Sequence, residues 1–148
     1  MSRFAEVVVL AADAHDVMAP LTQENNGARP WNTIFVPIES QWPSTFGRGW
    51  AAEFTHRHHW TQLLEYLQSL PWPRPETLQV LIHDEEDDCF GLWMMHDGAL
   101  VEVPLPRTER SVAHDPWTGE DSAEISYLHR TDLGRSVPAR HTVDRPSP

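Results

Sequence analysis

L-Q-V-L-I-H-D-E-E-D-D-C-F-G-L-W-M-M-H-D-G-A-L-V-E-V-P, residues 78–104, is the stretch that decides the fold. Its sharpest local signal is Asp97-Gly98, set between two apolar runs. A two-residue type I′ turn needs positive φ at both central positions, which Asp tolerates and Gly adopts freely. Such a turn fixes the register of a hairpin, with Met95 opposite Leu100, Met94 opposite Val101 and Leu92 opposite Val103. Phe90, Leu92, Met94, Val101 and Val103 then form one oily face. Gly91, Trp93, Met95, Leu100 and Glu102 form the other, amphipathic enough to be half covered by another element. Upstream, Leu78, Val80 and Ile82 alternate with Gln79, Leu81 and His83, which makes a third strand. It joins the hairpin through the acidic run Asp84-Glu85-Glu86-Asp87-Asp88.

Around this meander the flanking sequence completes an α+β pattern. Residues 4–12, with V-V-V-L at their centre, form a short apolar run rich in β-branched residues, which suits a central strand buried on both faces. Asp13 is placed to cap a short helix carrying Val17 and Met18, which Pro20 ends or kinks. Residues 22–30 read as loop and 33–38 as a strand whose Pro37 places it at a sheet edge. Residues 39–54 carry Trp42, Phe46, Trp50 and Phe54 every four positions, but Pro43, Gly47 and Gly49 argue against a regular helix, so the segment reads as an aromatic loop. Trp60, Leu63, Leu64, Leu67 and Leu70 then recur at helical spacing, predicting an amphipathic helix over 55–70 that Pro71 stops. The fold expected is α+β: a mainly antiparallel sheet of five or six strands, one main amphipathic helix packed on a face, and a disordered C-terminal tail.

The 148 residues suit one domain. Its parts are a globular body over 1–106, an irregular extension over 107–133 that holds one candidate strand at 123–128, and a polar, proline-bearing tail over 134–148. The formal charge is −11 and is uneven. Residues 1–106 hold fifteen acidic side chains against five arginines, a balance of −10, and the remainder is nearly neutral. A negative field of this kind repels nucleic acid and anionic membranes and attracts cationic partners. All eleven cationic side chains are arginine. The one cysteine, Cys89, builds no disulfide framework or cysteine-based zinc site within a chain, which favours a reducing, cytoplasmic setting. The N-terminal apolar stretch is short for a membrane span and lacks a signal-peptide cleavage pattern.

Three segments offer chemistry. In T-H-R-H-H-W, His56 and His59 flank the apolar stripe of the helix. With His83 and Asp84 they make a candidate divalent-metal set for a hydrolase, which needs three N or O ligands and an open position. No HExxH pattern accompanies them, and imidazoles resting at a helix end are the plainer account. The acidic run Asp84, Glu85, Glu86, Asp87 and Asp88 crowds five carboxylates that repel one another unless a cation or an arginine-rich surface compensates. Its spacing is not that of an EF-hand loop. The aromatic loop offers Trp42 and Phe46 with Arg48 at a glycine-flanked tip, residue types that dominate interface hot spots, while Trp50 and Phe54 suit the core. Cys89 beside those carboxylates is a poor nucleophile.

The functional expectation is a small acidic cytoplasmic binding protein, inhibitor or immunity-like, that engages a basic protein partner. The contacts expected are Asp84, Glu85, Glu86, Asp87 and Asp88 of the acidic loop together with Trp42, Phe46 and Arg48. No catalytic set and no cofactor are assigned, and neither nucleic acid nor membrane is an expected partner. Two alternatives stand beside it: a metal-dependent hydrolase using His56, His59, His83 and Asp84, and a small-ligand regulatory module with its pocket between the aromatic loop and the sheet.

Overall fold

The structure is a computed structural model that describes residues 4–39, 48–54, 60–114 and 121–134. Six strands form one antiparallel sheet: β1 (Ala5–Leu10), β2 (Val36–Pro37), β3 (Gly49–Phe54), β4 (Gln79–Asp84), β5 (Gly91–His96) and β6 (Ala99–Glu102). Their order across the sheet is β2-β3-β1-β4-β5-β6. Two helices accompany them, α1 (His15–Met18) and α2 (Trp60–Ser69), and a second, two-stranded sheet pairs β7 (Thr108–His114) with β8 (Asp121–Arg130).

The β4-β5-β6 meander forms in the expected register, with Met95 opposite Leu100 and Met94 opposite Val101. Val103 N–H donates to the Leu92 carbonyl at 2.8 Å, continuing the pairing. Asp97 and Gly98 adopt φ of 50° and 81°, the left-handed pair that a type I′ turn requires. β1 is central, between β3 and β4. Pro37 sits in the two-residue edge strand β2, where its missing N–H leaves no ladder bond unmade. α1 ends where Pro20 begins a 3₁₀ turn over Ala19–Thr22.

The core lies on one face of the sheet. Val7, Val9, Trp50, Phe54, Val80 and Ile82 are buried there, beneath Leu63 and Leu67 of α2 and beneath Met18, Leu21, Trp31 and Phe35 of the β1–β3 connection. Trp31 meets Phe54 and Tyr66 edge-on, at ring separations of 6.1 and 5.0 Å. Burying side chains of this size contributes about 1.5–3 kcal/mol each, so these aromatics fix where the connection lies. The Trp72 indole N–H donates to the Leu67 carbonyl at 2.7 Å, satisfying one of the acceptors that a helix end leaves open after Pro71 stops the turn.

Four expectations change. Residues 49–54 are strand β3, not loop: Trp50, Ala52 and Phe54 alternate inward at strand period, which outweighs the four-residue aromatic spacing. β1 is not buried on both faces, since Val7 and Val9 are fully buried while Val8 and Leu10 are only half-buried. In the meander the amphipathic face, not the oily one, meets the core: Trp93, Met95 and Leu100 pack against it, and Val101 is 47 % exposed. The stretch read as irregular with one candidate strand holds two paired antiparallel strands, Thr108–His114 and Asp121–Arg130, with a bulge at Val112/Ala113. All but the first residue of the expected 134–148 tail, and the helix start over 55–59, lie outside the described residues.

Candidate functional site

The acidic run leaves β4 at Asp84 and turns back towards β5. Its residues differ in surroundings. Asp87 and Asp84 are buried, at 8 % and 4 % exposure, whereas Glu85 is exposed and Glu86 and Asp88 are half-buried. The Asp87 carboxylate accepts the Asp84 N–H through Oδ2 and the Leu128 N–H through Oδ1, each at 2.9 Å. Asp88 donates its N–H to the Leu128 carbonyl at 2.8 Å and accepts the Arg130 N–H through Oδ2 at 2.7 Å. Asp84 Oδ1 accepts the Glu85 N–H, which also points at the Phe4 carbonyl. β8 therefore docks along the turn almost as along a neighbouring strand, with carboxylate oxygens in the place of carbonyls.

This corrects the reading of the run as an open five-carboxylate patch. An aspartate is short enough to reach backbone amides near its own turn, and buried amides need acceptors. Asp84 and Asp87 are buried, and Asp88 accepts the Arg130 N–H of β8. Burial pushes the Asp87 carboxyl above the ordinary aspartate value of 3.8; its bonds from Leu128 and Asp84 and the field of Arg110 oppose that rise. The neighbouring Cys89 thiol is also raised, first by burial and then by Asp88, so its thiolate is disfavoured.

A second clamp holds the hairpin further along. Arg110 Nε donates to both oxygens of Glu102 at 2.8 and 2.9 Å, Nη1 donates to Ser126 Oγ at 3.1 Å, and the guanidinium carbon lies 5.4 Å from the centre of the Trp93 ring. The charged pair is less than a third exposed on each side, where charge-assisted bonds are strong. Gly91 makes this approach possible, because a Cβ there would lie 2.9 Å from Arg110 Nη2 and 3.0 Å from the Trp93 ring. Beside the clamp, Val103, Pro104, Leu105, Thr108 and Leu128 line a cavity of about 220 Å³ with Glu102 and Arg110 at its wall. That is below the roughly 300–1,000 Å³ usual for ligand sites, and Thr108 Oγ1 is already bonded to the Leu105 carbonyl.

His83 and Asp84 do not form part of a metal site among the described residues. His83 Nε2 lies 2.8 Å from the Asp87 carbonyl, which only accepts, so this nitrogen carries hydrogen and has no lone pair for a metal. Its Nδ1 faces Glu6 Oε1 at 3.3 Å, and the ring lies 5.2 Å from Phe90. His56 and His59 lie outside the described residues, as do Trp42 and Phe46.

Arg48 is exposed, and its carbonyl accepts the Ala11 N–H at the end of β1 opposite to the acidic turn. Register makes the separation plain: Leu10 pairs with Gly49 and Gln79 at one end, Ala5 with Phe54 and Asp84 at the other. Six residues of strand put the two ends about 20 Å apart. Arg48 and the acidic turn therefore lie at opposite ends of the sheet.

What the sequence pattern did not reveal is a cross-strand row at the acidic end. Glu6 faces Glu53 on one side and His83 on the other, on the sheet face away from the core. Glu6 and Glu53 are exposed, and Glu85 follows directly after β4 at the same end. The only sequence signal was the polar break each residue makes in its strand. Among the described residues, arginine pairs with Glu76, Glu102 and Asp132, away from this row. No described helix is long and apolar enough to cross a membrane. No protein-family model, curated protein or solved structure matches the chain.

Proposed function

We propose that this chain is a small cytoplasmic binding protein, of inhibitor or immunity-like type, whose partner is a protein with a cationic surface. The observation that carries the reading is the meeting of Glu6, Glu53 and Glu85 at one end of the sheet, exposed to solvent, in a chain of net charge −11. Like charges side by side on neighbouring strands are unfavourable; His83 faces Glu6 at 3.3 Å, and an incoming arginine or lysine relieves the repulsion along the rest of the row. A field of this sign and size also speeds encounter with a cation and slows it with nucleic acid or anionic lipid.

The roles within the acidic run follow from its geometry. Glu85 belongs to the contact row. Asp84, Asp87 and Asp88 organise the turn that holds β8, and their contribution to binding is through shape.

The test is capture with the full chain as bait from its own cytosol, followed by measurement on the purified pair. The captured protein is expected to be basic, and association is expected to slow as salt rises from about 0.05 to 0.5 M, because the Debye length shortens severalfold. Replacing Glu6, Glu53 and Glu85 together by Gln is expected to slow association further while leaving the fold intact. Binding that is indifferent both to salt and to the triple replacement would remove the proposal.

A further inference from the structure

We infer that the contact surface is the face of the six-stranded sheet that the described residues leave uncovered, and that its occupant is a cationic amphipathic segment of the partner, with apolar side chains alongside arginine or lysine. The inference rests on the reading of the protein as a binder of cationic proteins and adds the surface and the chemistry of what it takes.

Alternation places the two faces on opposite sides, and the core cluster draws on one of them only. Val7, Val9, Val80 and Ile82 belong to the core, with Trp93, Met95 and Leu100 packed against it. The residues between them, Val8, Leu81, Leu92, Met94 and Val101, are half-buried or exposed and lie outside that cluster. Register then lines them up. Val8 pairs with Ala51 and Leu81, and Leu81 pairs with Leu92; the next row pairs Met94 with Val101. An open antiparallel sheet usually turns polar residues to water, but here one row is apolar throughout and the next carries Leu10, Met94 and Val101, with Gln79 between Leu10 and Met94.

At about 4.8 Å between strands and about 6.8 Å between rows, two rows over five strands cover on the order of 300 Å². Apart from the position of Gln79 that area is apolar, and it approaches the size at which an apolar patch on a monomer is often functional. The neighbouring row is Glu53-Glu6-His83, so an apolar floor is bordered at one end by carboxylates. Charge selects the occupant. A second copy brings another −11, and an anionic membrane or nucleic acid is repelled. A segment with cations at one side and apolar groups at the other matches both parts of the surface. The edges beside the face are short and partly engaged: Gln68 Oε1 accepts the Leu100 N–H at 2.8 Å on the four-residue β6, and β2 is two residues long and holds Pro37. Face contact, not strand addition, is therefore the mode that fits.

The experiment titrates the full chain with three short soluble peptides, one alternating Arg and Leu, one alternating Arg and Gly, and one alternating Glu and Leu. The Arg/Leu peptide is expected to bind saturably and at least about tenfold more tightly than the other two. Leu81→Gln with Leu92→Gln is expected to weaken it by about tenfold or more, with circular dichroism and the unfolding midpoint kept near those of the parent. Equal binding of Arg/Gly and Arg/Leu would overturn the apolar face while leaving the cationic-partner reading in place. Binding of neither arginine peptide would overturn both. Equal binding of Glu/Leu would overturn the partner's charge, and a parent dimer dispersed by the double replacement would show that a second copy is the occupant.

Discussion

Replacing Asp87 by Ala removes the acceptor for two buried amides, those of Asp84 and Leu128, each now bonded at 2.9 Å. A buried N–H left without a partner costs about 1–3 kcal/mol, so the two together cost about 2–6 kcal/mol. One term opposes this. The fold holds the Asp87 carboxyl above its ordinary 3.8 chiefly through burial, so its ionised form carries a desolvation cost that the alanine variant escapes. A net loss of about 2–4 kcal/mol is expected, in the upper range for single replacements. Asp87→Asn keeps one oxygen but sets an NH₂ group against the second amide, so its loss is expected to be smaller. Urea unfolding of the full chain, followed by tryptophan emission, measures all three proteins. Hydrogen exchange at the Leu128 amide then reports whether β8 has loosened locally. A loss under about 0.5 kcal/mol in the alanine variant, with Leu128 protection unchanged, would refute the account of the turn as a clamp.

The same carboxyl gives a pH dependence whose sign differs from that of an ordinary paired aspartate. Because its folded value is raised, the folded state binds the proton more tightly than the unfolded state does. The contribution of this group to stability is therefore full below 3.8 and is lost as pH rises through the raised folded value. The stability advantage of the parent over Asp87→Asn is expected to shrink over that interval on going to higher pH. An advantage that grows with pH would contradict the direction of the shift.

Other perturbations probe separate parts of the fold. Gly91→Ala drives a methyl group towards Arg110 Nη2 and the Trp93 ring, at 2.9 and 3.0 Å, and is expected to cost about 1–3 kcal/mol by thermal unfolding. That cost is expected to fall in an Arg110→Ala background, since the two replacements share a contact. Gly98→Ala forces a Cβ into a φ of 81° and is expected to cost about 1–2 kcal/mol in chemical denaturation, with the β5–β6 register retained. Leu67→Ala empties a fully buried position under α2 and is expected to cost about 2–5 kcal/mol.

How much could be read in advance depended on how local the controlling physics was. The Asp97-Gly98 turn was legible because two adjacent residues carry the backbone requirement, and register follows by counting. α2 was legible from its leucine spacing, with Leu63 and Leu67 buried as that spacing predicts. β3 was obscured because Trp50 and Phe54 satisfy a four-residue and a two-residue period equally well, and only Ala52 between them, buried opposite Val7, selects the strand. The β7–β8 hairpin was obscured for a different reason. Its attachment runs through Asp87 and Asp88, some forty residues from their partners in β8, and through Glu102, and leaves little hydrophobic pattern in the strands themselves.

The choice of core face shows where local pattern stops. Both faces of the meander are apolar enough to be buried, so alternation alone does not choose between them. Gly91 favours one of them: on the face it occupies, the missing side chain lets Arg110 come down over Trp93 and join Glu102. Once one face is taken by helix, aromatic connection and hairpin, the oilier face is left outward with the carboxylate row at its end. Those carboxylates, Glu6, Glu53 and Glu85, come from three separate stretches of chain. No run of acidic letters announces them, while the run that is conspicuous in sequence spends Asp84, Asp87 and Asp88 on amide hydrogens. Where exposed carboxylates gather in this fold is thus set by strand register as well as by runs of acidic residues along the chain.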